Sequence, residues 1–249
     1  MVDIHSHLLP GVDDGARSLD EALALARACV EDGTVHLVLT PHIYPGLYDN
    51  ARDGIGAAFE LFKNALTDAR IPLSVSFAGE VRLSPEVLPL IEAGQVPFLG
   101  ESDGYRNMLL ELPDGQIPVG AAAFVNLLFA RRIRPVIVHP ERNKAVMEHP
   151  DKVRDFIDAG CYLQVTAGSI VGQFGSRAEA AAEALLEREW VHVIASDAHN
   201  LRSRRPMMHE ARNALARQYG RDTALRLTQF APAALCNVAP GVDTGWQAN

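Results

Sequence analysis

Short runs of β-branched and aliphatic residues alternate along the chain with longer stretches in which apolar residues recur every three or four positions. The short runs predict strands over Val2–His5, Val35–Leu39, Leu73–Ala78, Met108–Leu112, Pro135–Val138, Tyr162–Val165 and Val191–Ala195. The longer stretches predict helices over Ser18–Glu31, Ile55–Ala69, Val119–Ala130, Asp151–Ala159, Ala178–Glu189, Met207–Tyr219 and Asp222–Gln229. Ser18 is placed to cap the first helix, with Glu21 completing a capping box. Gly33 and Gly160 stand where two helices should stop. Seven strands separated by helices imply parallel βα units. The expected fold is α/β, a distorted seven-stranded (β/α)7, TIM-like barrel, with a doubly wound open sheet as the alternative. No repeat or linker-like segment divides the chain. Residues 1–249 read as a single domain, with 240–249 a polar, flexible tail.

Composition narrows the function classes. A chain that is 48% hydrophobic and 22% charged can fill one sizeable core. The net charge is −8 and no dense Lys/Arg block occurs, which argues against nucleic acid as a partner. Cys29, Cys161 and Cys236 are far apart and odd in number, so neither a disulfide framework nor a thiolate zinc site is expected. No apolar run approaches the roughly 18 residues of a membrane span. The chain enters DIHSH without a basic-then-apolar leader, and a cytoplasmic protein is expected. Oligomerisation through the Ala-rich helices stays open.

The polar residues at the strand ends carry the chemistry. His5 and His7 end the first predicted strand, His42 the second, Glu80 the third, Glu111 the fourth, His139 the fifth, and Asp197 with His199 the seventh. In a parallel barrel these ends share one face, the face that holds active sites. Side chains two apart on a strand point the same way, so His5 pairs with His7 and Asp197 with His199. Each residue taken singly fits a hydrogen-bonded loop edge. Six strands ending in such groups indicate a metal site. Imidazole and carboxylate without thiolate suit Mn²⁺, Fe²⁺, Co²⁺ or Zn²⁺. His36 and His192 begin strands, and His149 and His209 lie in polar helical stretches, so these four read as structural. Asp13 reads as a turn residue and Asp3 as a core residue. Rival phosphatase chemistries fail: the positions six after the three cysteines are Val35, Ala167 and Val242 rather than arginine, and Asp-x-Asp and Walker motifs are absent.

The segments DIHSHLLPGVDDGA, TPH, GEVRL, LLELP, VIVHPERN, TAGSIVGQFG and SDAHNLRSRRP run in order from residue 3 to residue 206. With them the chain resembles the PHP (polymerase and histidinol phosphatase) superfamily. Within it the resemblance is to the bacterial manganese-dependent tyrosine-protein phosphatases of capsule and exopolysaccharide gene clusters. The resemblance implies a barrel holding three divalent ions, with Mn²⁺ first among the candidates. His5, His7, Glu80 and Asp197 would bind the first ion. Glu80 would bridge to a second held by Glu111 and His139, and Asp14, His42 and His199 would hold the third. Two positions depart from the pattern: Ile43 stands where a second histidine often follows TPH, and Asp114-Gly115-Gln116 replaces a bulkier loop.

The implied activity is hydrolysis of phosphotyrosine by a metal-activated water. The implied substrate is a phosphotyrosine protein, a bacterial tyrosine kinase controlling capsule synthesis. Three divalent ions outweigh the four carboxylates Asp14, Glu80, Glu111 and Asp197, which leaves a site suited to a phosphate dianion. Arg142, Asp197 and His199 are the expected catalytic residues. Arg142 is also expected to bind the phosphate, assisted at the rim by Arg205 or a neighbour in Arg202-Ser203-Arg204-Arg205. Three other readings compete. The same chemistry could act on a small phosphomonoester such as histidinol phosphate. The chain could be a non-catalytic metal-bound regulator. An amidohydrolase-type site is the last, for which Lys144 follows its strand by too much.

Overall fold

The computed structural model describes residues 1–240 and Trp246 of the chain; the expected flexible tail falls, apart from Pro240 and Trp246, outside the described residues. Ten strands form: β1 (Val2–Asp3), β2 (His36–Leu39), β3 (His42–Ile43), β4 (Ser74–Phe77), β5 (Glu80–Arg82), β6 (Gly100–Ser102), β7 (Tyr105–Glu111), β8 (Ile133–Val138), β9 (Tyr162–Thr166) and β10 (Val193–Ala195). The helices of the first half are α1 (Leu19–Glu31), α2 (Arg52–Asp68), α3 (Val87–Glu92) and α4 (Ala121–Ala130). Those of the second half are α5 (Lys144–Glu148), α6 (Arg154–Asp158), α7 (Ala167–Ile170), α8 (Ser176–Glu187), α9 (Met208–Tyr219), α10 (Arg221–Leu225) and α11 (Ala231–Cys236).

The strands form two largely parallel sheets. One has the order β1-β2-β4, the other β3-β5-β7-β8-β9-β10, with β6 folded antiparallel onto β7. The expected strands Val35–Leu39 and Leu73–Ala78 form as β2 and β4, and each is followed by a further short strand that was not expected, β3 after residues 40–41 and β5 after residues 78–79. Backbone bonds carry the pairing across these intervening residues: the Ala78 N–H donates to Leu39 O at 2.9 Å and the Glu80 N–H to Pro41 O at 3.1 Å. At the far edges Ser6 bridges Ala198 in the parallel sense. There the Asp197 N–H donates to His5 O, and the His7 N–H to Ala198 O, both at 2.9 Å.

Strand alternation explains what faces where. Val38, Ala78, Leu109, Val136 and Val193 pack into one apolar cluster with Ala233 and Leu235 of α11. Their neighbours Leu37, Leu110, Ile137 and Ile194 turn the other way, into the larger cluster shared with the helices. One step up from the first cluster, on the same face, Ala78 gives way to Glu80 and Leu109 to Glu111. The apolar layer is therefore the floor beneath the polar site.

Helical spacing does the rest. In α2, Ile55, Phe59, Phe62 and Leu66 are the buried residues, a stripe at three- and four-residue intervals. Each such side chain contributes roughly 1.5–3 kcal/mol on full burial. The α1 cap is half the expected box. Ser18 Oγ accepts from the Glu21 N–H at 3.3 Å, but the Glu21 carboxylate turns back to the Arg17 N–H at 3.0 Å rather than to Ser18. Gly33 and Gly160 adopt φ of 93°, the left-handed conformation that ends a helix. Among the described residues no helix is long and apolar enough to cross a membrane, and the three cysteines are buried and unbridged.

His36 and His192 occupy structural positions, as expected. His36 bonds Ser74 and Ser76, both at 3.0 Å. His192 stacks on Tyr162 at 4.3 Å, and its Nδ1 accepts from the Leu163 N–H at 3.2 Å. Burial, reinforced by the nearby Arg226 and Arg134 charges, pushes the His192 imidazole down to about 4. The unfolded chain, at the ordinary value of about 6.5, takes up this proton first as pH falls. The stabilisation is thus whole above that value and is lost as pH drops through the folded value. The urea midpoint is expected to fall between these two pH values, and His192→Gln to flatten part of that slope. An identical slope in wild type and variant would remove His192 as a source of acid sensitivity.

Candidate metal centre

His5 and His7 point their Nε2 atoms at one another, 3.2 Å apart. The His5 Nδ1 lies 2.9 Å from Gln164 Oε1, and the His7 Nδ1 lies 2.7 Å from Asp13 Oδ2. Both partners can accept, an arrangement that suits the neutral tautomer with its proton on Nδ1 and Nε2 turned inward as a potential ligand. Two carboxylates close on the same point. Glu80 Oε2 lies 3.2 Å from either imidazole nitrogen, and Asp197 Oδ1 lies 3.4 and 3.3 Å from them. Glu80 Oε2 and Asp197 Oδ1 are buried and make no hydrogen bond. Four potential ligand atoms converging in a buried place form a candidate cation site.

The other predicted residues surround this point. His7, Asp14, His42 and His199 gather as one potential ligand group, and His5, His139 and Asp197 as another. His42 joins Glu80 and Glu111 in a further group. Glu80 links residues of different groups, reaching His42 Nδ1 at 2.9 Å through Oε2 and His139 Nε2 at 2.7 Å through Oε1. His199 donates its Nδ1 proton to the Asp197 carbonyl at 2.9 Å, which turns its Nε2 toward Asp14 Oδ1 at 3.3 Å. Glu111 is held at the edge by Arg82 at 3.0 Å. The grouping differs in one detail from the resemblance, which pairs Glu111 with His139: here His42 sits with Glu111, and His139 with His5.

Local folding places these groups. His139 and Asp197 follow β8 and β10 with φ of 35° and 52°, the left-handed region that non-glycine residues enter at a cost. After Asp14 the chain doubles back over His7. The Ala16 N–H donates to His7 O at 3.1 Å, and a Cβ on Gly15 would collide with the His7 backbone. Asp13 organises that turn and does more than the sequence suggested. Its Oδ1 accepts from the Gly15 N–H at 3.0 Å, while Oδ2 takes the His7 Nδ1 proton and the His42 N–H at 3.1 Å. One buried carboxylate therefore sets two potential ligands. Outer partners of this kind are worth roughly 10- to 100-fold in metal affinity. Asp13→Ala is expected to weaken Mn²⁺ binding by about that factor, read by electron paramagnetic resonance of free Mn²⁺. Unchanged affinity would reduce Asp13 to turn geometry.

Electrostatics follows from the crowding. Burial works against every charge here, yet Asp13 and the carboxylates Asp197 and Glu80 hold the His7 imidazole well above its usual range. Burial, added to the negative charge of Glu80 and only partly relieved by Arg82, raises the Glu111 carboxyl to about 7. His139 is pushed down to about 3 by burial and by Arg142. Burial, then the His7 charge, brings His199 to about 4. Two guanidiniums meet one carboxylate oxygen: Arg142 and Arg204 each lie 2.6 Å from Asp197 Oδ2. Phe174 supports Arg142, whose guanidinium lies 4.9 Å from its ring centre.

Arg205 does not reach the site. It points outward, 3.6 Å from Glu210, while Arg204 turns in toward Asp197 and Asp14. The cause is the loop backbone, where Asn200 Oδ1 accepts from the N–H groups of Arg202, Ser203 and Arg204 in succession. A cavity of about 490 Å³ is lined by His42, His139, Arg142 and Arg204 together with Tyr44, Leu47, Tyr48, Arg82 and Asp114.

Over residues 1–237 the sequence matches the family model described as capsular polysaccharide synthesis, CpsB/CapC. This chain belongs to the CpsB/CapC family. Among its CpsB/CapC relatives, the tyrosine-protein phosphatase YwqE of Bacillus subtilis is 33% identical over 95% of this chain and 92% of its own length. The tyrosine-protein phosphatase CpsB of Streptococcus pneumoniae is 32% identical over 91% of this chain and 94% of its own. A solved structure, from work on YwqE and CpsB as metal-dependent tyrosine phosphatases, superposes with a TM-score of 0.88 over 97% of this chain and 96% of that one, at 32% identity. The organophosphorus hydrolase of Deinococcus radiodurans shares the fold more distantly, with a TM-score of 0.59 at 15% identity over 94% of this chain and 91% of that one.

Proposed function

We propose that this CpsB/CapC member is a metal-dependent protein-tyrosine phosphatase acting on a phosphotyrosine protein, a tyrosine kinase of capsule or exopolysaccharide synthesis, in the cytoplasm. The proposed frame is one domain, a distorted seven-stranded barrel whose two sheets join through the Ser6–Ala198 bridge. The proposed ligands are His5, His7, Asp14, His42, Glu80, Glu111, His139, Asp197 and His199, sharing three divalent ions, Mn²⁺ foremost. The observation that carries this reading is the buried convergence of His5, His7, Glu80 and Asp197 on one point. Two guanidiniums stand beside it.

Bound there, divalent ions supply Lewis acidity and a water of lowered pKa as nucleophile. The chain's own residues do the remainder. Arg142 and Arg204 present planar donor pairs to a phosphate dianion. Their present partner, Asp197 Oδ2, marks where anionic oxygen is held. As charge gathers on the phosphoryl oxygens, the two guanidiniums strengthen their hydrogen bonds, which is where rate is gained. Phe174 keeps Arg142 from swinging away. A tyrosine leaving group, with a pKa of about 10, departs with little need of a proton donor.

The deciding experiment strips the protein of metal, adds Mn²⁺ back, and compares a phosphotyrosine peptide, a phosphoserine peptide and histidinol phosphate. Metal-dependent turnover favouring phosphotyrosine is expected. A preference for histidinol phosphate would move the reading to a small-molecule phosphatase, and inertness in every divalent metal would end it.

A further inference from the structure

Residues 44–48 form a tight hairpin on the rim of the cavity. Tyr44 and Tyr48 pair antiparallel, with N–H to O bonds of 3.0 and 2.8 Å. The Gly46 N–H donates to Asp49 Oδ1 at 2.7 Å. The base is pinned to the site: the Asn50 side-chain amide donates to His42 O at 2.8 Å and to Val12 O at 2.9 Å. The Tyr48 ring lies nearly parallel to the His42 ring, 5.4 Å away at 12°. The Arg82 guanidinium lies 5.1 Å from the Tyr44 ring centre. A rigid, largely aromatic wall is thus fixed in register with a proposed metal ligand. At its tip Leu47 is 63% exposed, a large apolar side chain with no core to fill.

From these observations we propose that the Tyr44–Tyr48 hairpin is the specificity element of the cavity, and that it receives the aromatic ring of an aryl phosphate. The inference rests on the phosphatase reading and deepens it. One cavity is lined both by Arg142 and Arg204 and by Tyr44, Leu47 and Tyr48 of the hairpin. An ester anchored by its phosphate must run its organic group out past the hairpin. An aryl ring there buries apolar surface against Leu47 and Tyr44 and can stack edge-on or offset with Tyr48. A phosphoserine has one methylene between phosphate and backbone. Its peptide N–H and C=O groups would be drawn against the apolar hairpin, where they lose water and gain no partner. The same wall disfavours a polar alkyl phosphate such as histidinol phosphate.

The test compares Mn²⁺-loaded wild type with Leu47→Ala and Leu47→Asp; Leu47 is exposed, so neither change removes core packing. The reading is the ratio of kcat/KM for phenyl phosphate to that for ethyl phosphate, with matched phosphotyrosine and phosphoserine peptides as a second pair. The wild-type ratio should favour the aryl ester. Leu47→Ala should lower that ratio roughly three- to tenfold, the worth of part of a leucine's burial, through KM rather than kcat. Leu47→Asp should lower it further. A second arm measures binding of a peptide carrying a non-hydrolysable phosphonate analogue of phosphotyrosine by fluorescence anisotropy, and Kd should rise by the same factor. A ratio and a Kd unaltered in both variants would overturn the inference. If no ester is turned over at all, the phosphatase reading falls, and the binding arm, which needs no turnover, still decides whether the hairpin holds an aryl group.

Discussion

Asp197→Asn is expected to lower kcat by more than about a hundredfold, since even outer partners of a metal ligand are worth 10- to 100-fold. The residue acts in three directions. Its Oδ1 faces the His5–His7 pair, its Oδ2 gathers Arg142 and Arg204, and its carbonyl fixes the His199 tautomer. Asparagine keeps the shape and tolerates the left-handed φ of 52°, so circular dichroism should report an intact fold. What is lost is the charge, which arginines and metal ions both require. The number of Mn²⁺ ions retained after dialysis should fall with kcat. Wild-type turnover in this variant would contradict the proposed ligand role outright.

The second large effect separates two adjacent arginines. Arg204→Ala should reduce kcat/KM for phosphotyrosine peptides by about 10²–10³-fold, the usual loss when one preorganised donor to developing negative charge is removed. Arg205→Ala should cost less than about threefold, because its partner is Glu210 on the outside of the loop and an exposed pair is worth about 1 kcal/mol or less. Steady-state kinetics on the two variants decides the matter. Equal losses would mean that the loop rearranges when substrate binds.

That contrast shows where the sequence was legible. The candidate ligands could be read because strand geometry is regular: a polar residue two beyond an inward apolar one stays on the same face, as Ala78–Glu80 and Leu109–Glu111 do. The parallel βα order could be read for the same reason. Turns have no such phase. Arg204 and Arg205 differ in direction only because three successive N–H groups wrap one Asn200 oxygen. Asp13 read as turn chemistry, which it performs. Its hold on His7 and His42 arises from bringing distant segments together, which six-residue spacing does not reveal. Gln164 was invisible inside an apolar strand. Several short elements were also missed, two of them for more ordinary reasons. The short α3 carries Pro89 in its interior, which masks helical periodicity. The β6–β7 hairpin turns at Asp103-Gly104, a strong hairpin signal present in the sequence and passed over.

The way the site is stitched together has a consequence for how the protein is made. Its members come from the first strand and from the last, with His5 and His7 meeting Asp197 and His199 only where Ser6 bridges Ala198. Contacts so distant in sequence form late, after the entropy of closing the intervening chain has been met. A ribosome-bound chain that has not yet released β10 holds imidazoles and Glu80 but lacks the carboxylate that completes the cluster. The four-residue convergence is therefore complete only once the chain has been made past β10.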